Sequence, residues 1–144
     1  MKNLLFATLL LMGIIVANCA KAQQTNADAN APAITFDMDT IDYGTIAHNT
    51  DGNRVFKFTN TGKEPLIIKE AHGSCQCTLP SWPHEPIQPG EAAEIKVHYN
   101  TGNVGRFVKT VTITSNAVQS TKIIWIIGNV LPDSQPTVKV DSPK

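Results

Sequence analysis

Between residues 34 and 131 the chain never sustains a helical period. Short runs rich in β-branched and aromatic residues are instead cut by turn signals about every ten residues. The clearest run is 93–99, where Ala93, Ile95, Val97 and Tyr99 alternate with Glu94, Lys96 and His98. A strand turns successive side chains to opposite faces, so this run has one buried and one solvated side. Arg54–Thr59 repeats the pattern, with Phe56 and Phe58 opposite Lys57. Leu66–Ala71 reads as apolar enough to be covered on both faces, and Val108–Thr114 is a β-branched run. Ile123–Ile127 reads as a wholly apolar central strand with Trp125 in the core. Ile34–Phe36 and Ile41–Ile46 make a weaker opening pair, broken at Gly44.

Turn chemistry supplies the punctuation. Asn60-Thr61-Gly62 and Ser115-Asn116 read as turns, with Gly62 placed where φ can be positive. Residues 72–90 carry Gly73, Pro80, Pro83, Pro86, Pro89 and Gly90, and read as a long crossing segment rather than a strand. About seven strands in about one hundred residues predict one all-β domain, an immunoglobulin-like antiparallel β-sandwich over 34–131.

The flanks are of another kind. Residues 1–22 read as an export signal: Met1-Lys2, an apolar run from Leu4 to Ala17, and a small-x-small site at Ala20-Lys21-Ala22 before Gln23. That run is shorter than the ~20 residues a membrane span requires, and no later segment is apolar enough to be one. Residues 23–33 read as a flexible leader and 132–144, with Pro132, Pro136 and Pro143, as a disordered tail. Of 12 basic residues, setting aside Lys2 and Lys21 leaves 10 against 12 acidic ones, a formal charge of −2. No basic block remains, which argues against a nucleic-acid partner. Export points to the periplasm or cell envelope of a Gram-negative bacterium. Cys19 opens a second reading, a lipoprotein anchored there, although Val16-Ala17-Asn18 is a poor lead-in to a lipidated cysteine.

An ordered series of motifs resembles a known family. Phe56-x-Phe58-x-Asn60-Thr61-Gly62, Pro65-Leu66-x-Ile68, Ser74-Cys75-x-Cys77-Thr78 and Trp82 open it. Pro86-Ile87-x-Pro89-Gly90, Tyr99-x-Thr101, Gly105-x-Phe107-x-Lys109 and Ser115-Asn116 continue it. The series is similar to the secreted bacterial domain-of-unknown-function family 1573 over roughly residues 34–130. That resemblance implies an immunoglobulin-like fold distantly similar to Hydin and major-sperm-protein domains, which resemble protein-binding scaffolds. Gln76 departs from the glycine common between the family's cysteines, so a tight turn needing positive φ there is not expected.

Cys75 and Cys77 carry most of the candidate chemistry. Outside the cytoplasm two neighbouring thiols oxidise, bind metal or are actively kept reduced. One intervening residue permits a small, strained and reducible disulfide. With His72, and with His84 if its loop folds back, the same thiolates suit copper or zinc. The plainer alternative is a structural bridge or a buried pair. His98 alternates with Lys96 and Glu94 and reads as a surface residue, and His48 sits in a loop without a carboxylate pattern. No nucleophile elbow, phosphate loop, dinucleotide fingerprint or paired metal-histidine motif is present, so the chain reads as noncatalytic.

A second candidate is Trp82 with Pro83 and Pro86, a rigid loop able to contact a partner or to cap the core. Together these features predict a noncatalytic binding or scaffold module of the envelope, without cofactor, whose partner is an unidentified envelope protein. The alternative is a periplasmic copper-binding or thiol-redox protein using Cys75 and Cys77.

Overall fold

A computed structural model describes residues 30–133. The segments read above as an export signal (1–22) and a leader (23–33, apart from 30–33), and the tail beyond Asp133, lie outside the described residues. Eight strands occur in order: β1 (Ile34–Phe36), β2 (Thr40–Ile46), β3 (Asn53–Asn60), β4 (Ile68–Gly73), β5 (Thr78–Ser81), β6 (Ala92–Tyr99), β7 (Gly105–Ser115) and β8 (Thr121–Val130). They form two four-stranded sheets, β1-β3-β6-β5 and β2-β8-β7-β4, packed as an immunoglobulin-like sandwich. Every pairing is antiparallel except β2 with β8, which is parallel.

The two-residue period determines which side chains meet. Phe56, Phe58, Ile95 and Val97 project from the first sheet, and Val111, Ile113, Ile124 and Ile126 from the second; all are at most 1% exposed. Each such side chain contributes on the order of 1.5–3 kcal/mol by leaving water. Lys57, Glu94, Lys96 and His98 face solvent as their alternation predicts. Asn60 is the polar member of this core. Its side-chain amide donates to the carbonyls of Glu64 and Ile87 and accepts from the Gly62 and Ala33 N–H groups. It therefore ends β3 as a buried brace rather than merely beginning a turn.

Several expectations are corrected. β1 and β2 are not a pair: they join opposite sheets, β1 along β3 and β2 along β8. Gly44 does break β2, at a register shift where its φ is 66°. The strand expected at Leu66–Ala71 is covered on one face only, with Ile67, Lys69 and Glu70 exposed. Leu66 instead bridges to Ile87 outside the strands. The crossing segment contains β5, whose Pro80 needs no ladder N–H because β5 is an edge strand. Gly62 is not among the positive-φ glycines.

Trp125 is not core. β8 lies inside its sheet, yet within Ile123–Ile127 it is Ile124 and Ile126 that are buried; Ile123 and Trp125 face solvent at 45% and 43% exposure. Strand geometry demands this, since a strand that is apolar throughout still presents alternate residues to each side.

Candidate functional site

The residues from Gly73 to Thr78 carry the chain from the β4 edge of one sheet to the β5 edge of the other. Gly73 makes that crossing possible, because a Cβ there would collide with the Thr78 carbonyl. Backbone contacts hold the crossing on both sides. Ser74 N–H donates to the Thr110 carbonyl at 2.9 Å, and its Oγ accepts from Thr110 N–H at 3.1 Å. Thr78 N–H closes a turn on the Cys75 carbonyl at 3.1 Å, and Asn100 N–H donates to the Cys77 carbonyl at 2.9 Å.

Within this frame Cys75 and Cys77 form a disulfide, with Cα atoms 5.2 Å apart. Gln76 between them has no positive φ, so glycine is not required there. The Thr78 hydroxyl lies 3.5 Å from Cys75 Sγ and 3.8 Å from Cys77 Sγ. The two sulfurs are not equivalent. Cys77 packs against the hydrophobic core, whereas Cys75 lines an open groove of about 500 Å³ with His72, Gly73, Gln76, Leu79 and Pro80. Leu79 is 58% exposed there.

His72 stands on the same groove, its Nδ1 3.9 Å from Glu70 Oε1. His84 is elsewhere: its ring lies 5.4 Å from that of Trp82. In the oxidised form each sulfur is bonded to the other and neither is a thiolate ligand. Among the described residues no three His, Cys, Asp or Glu side chains converge as a metal site. His98 is an exposed residue bonded to Asn53 at 3.0 Å. His48 does have a carboxylate partner, Asp133 Oδ2 at 3.0 Å from Nδ1, supplied from far along the chain.

Trp82 is half-buried against the core, with its Nε1 enclosed and unpartnered, while Pro86 is exposed and Pro83 half-exposed. A shallow cleft of about 270 Å³ lies between Trp82, Pro83, Ser81, Glu94 and Lys96.

An exposed apolar stripe is a feature that sequence reasoning missed. On the outer face of the second sheet, Val108 pairs with Ile127 and Thr110 with Trp125, while Thr112 pairs with Ile123. Val108 is 61% exposed. This apolar stripe continues into a cleft of about 350 Å³ bounded by Asp42, Gly44, Arg106 and Asn129. A signal for it exists in β7, where Thr110, Thr112 and Thr114 alternate with Val111 and Ile113. That is the pattern of a sheet with one uncovered face.

A family model described as a protein of unknown function, DUF1573, matches residues 34–130. No curated protein matches the chain. Among solved structures, a protein of unknown function from Porphyromonas gingivalis superposes with a TM-score of 0.62 at 13% identity, covering 70% of this chain and 48% of that one. The chain thus spans about half the length of that relative. The PapD-like domain 7 of human CEP192 superposes with a TM-score of 0.59 at 6% identity, covering 71% of this chain and 87% of that one. At such identities the likeness is one of fold.

Proposed function

Given that the chain belongs to the DUF1573 family of proteins of unknown function, we propose that it is a noncatalytic immunoglobulin-like module of the bacterial cell envelope that binds another protein. The observation that carries this reading is the outer face of β7 and β8. There Val108, Ile123 and Trp125 stand 61%, 45% and 43% exposed on one sheet face. A contiguous apolar patch rimmed by polar residues is characteristic of protein interaction sites, and aromatic side chains supply most of the energy at such interfaces. The rim is present: Asp42 and Arg106 flank the stripe at one end and the Lys122–Asp39 ion pair, 3.0 Å, at the other. Export, inferred from residues 1–22, supplies the compartment.

The test is site-directed photocrosslinking in envelope fractions. A crosslinker placed at Val108 should yield a discrete adduct that disappears on Trp125→Ser, whereas one at His98, on the opposite sheet, should not yield it. Absence of any adduct dependent on Trp125 across several growth states would sink the proposal.

A further inference from the structure

We propose that the Cys75–Cys77 bridge is a thiol–disulfide exchange site, entered at Cys75, whose substrates are extended cysteine-bearing peptide segments. This adds a redox exchange to the noncatalytic binding reading and uses a different part of the molecule. Three observations carry it. The two cysteines differ in surroundings, Cys75 lining the groove while Cys77 packs on the core. The hydrogen bonds from Ser74, Thr78, Thr110 and Asn100 hold the crossing without help from the disulfide, so the thiols stay opposed when it opens. The groove lies between β4 and β5, each an edge strand of its own sheet, with Leu79 as an apolar contact. Unpaired sheet edges receive extended chain.

The exchange balances with the partner's own thiols. A partner thiol gives up its proton, for which the His72 imidazole on the groove is an acceptor, and the thiolate attacks Cys75 Sγ. The Cys75–Cys77 bond breaks, a mixed disulfide forms at Cys75, and Cys77 departs as a thiolate beside the Thr78 hydroxyl and is then protonated. A second partner thiolate attacks the partner sulfur of that mixed disulfide and releases Cys75. Two electrons and two protons have then moved to this chain, and the partner holds the new disulfide. The reverse reaction, with a partner disulfide as oxidant, restores the bridge.

The experiment uses the folded full chain with glutathione, a peptide thiol, followed by acid quenching and peptide mapping. Adducts on the unmodified chain should fall on Cys75 while thermal melting stays cooperative. With oxidised glutathione, Cys75 in the C77S variant should form its adduct about tenfold faster than Cys77 in C75S, as attack follows access. Equal rates, or adducts mainly on Cys77, overturn the assignment. A bridge that glutathione opens only once the chain unfolds also overturns it, and makes the disulfide a structural staple.

Discussion

Arg54 lays its guanidinium 4.1 Å from the centre of the Tyr43 ring, joining β3 of one sheet to β2 of the other. The Tyr43 hydroxyl meanwhile donates to the Gly52 carbonyl at 2.9 Å. Phe107 meets the Tyr43 ring edge-on at 5.4 Å and stacks on Tyr99 at 3.9 Å, so one aromatic cluster closes this end of the sandwich. Removing only the hydroxyl with Tyr43→Phe should cost about 1 kcal/mol in chemical denaturation, because the Gly52 carbonyl keeps its bond from Tyr99 N–H.

The same tyrosine sets an alkaline limit. Burial pushes its phenol up from 10.0 to about 12, against the opposing pull of the Arg54 cation. Between those values the folded phenol keeps its proton and the unfolded one loses it, so this contribution is complete below pH 10 and is lost as pH rises towards 12. Burial raises Tyr99 as well, in the same direction. Denaturation midpoints measured from pH 9 upward should therefore fall less steeply for Tyr43→Phe than for the unaltered chain.

Asn60 should be among the least replaceable polar residues. Asn60→Ala strands buried groups that its amide serves and should lower stability by about 2–3 kcal/mol. Asn60→Asp should be worse, since it turns an acceptor towards the Glu64 and Ile87 carbonyls. Paired thermal melts check the order; an aspartate variant as stable as the alanine one would refute it.

The disulfide should contribute little to stability despite its position. Its closed loop spans only three residues, for which the chain-entropy relation gives about 1.6 kcal/mol. A Cys75→Ala, Cys77→Ala double variant should remain folded with a modestly lower midpoint. Gly73→Ala should cost about 1–3 kcal/mol by pressing on the Thr78 backbone.

The two tryptophans should be separable by fluorescence. Trp125 is 43% exposed and should be quenched readily by iodide, whereas Trp82 packs against the core and should resist. Trp125→Phe should remove the quenchable fraction with a stability change near ±0.5 kcal/mol, the usual range for an exposed site.

Sequence periodicity carried far where one face was polar. The alternation of 93–99 located β6 and its buried face, and Phe56 and Phe58 marked β3 in the same way. It failed where polarity did not alternate. Ile123–Ile127 offers no contrast between faces, so nothing local separates Ile124 from Trp125; the threonines of β7 held that information one strand away. β5 was hidden because Pro80 and the prolines that follow it signal a loop, and only its place at a sheet edge makes Pro80 compatible with a strand.

By itself the sequence determined the fold class, the family and the presence of a closely spaced cysteine pair, because each depends on local spacing along the chain. Tertiary structure alone decided that β1 and β2 part to opposite sheets, that Trp125 looks outward, and that Cys75 faces a groove while Cys77 faces the core. Those outcomes depend on contacts between residues distant in sequence. A two-residue period states that two faces exist, and only the packing of one sheet on the other settles which is covered.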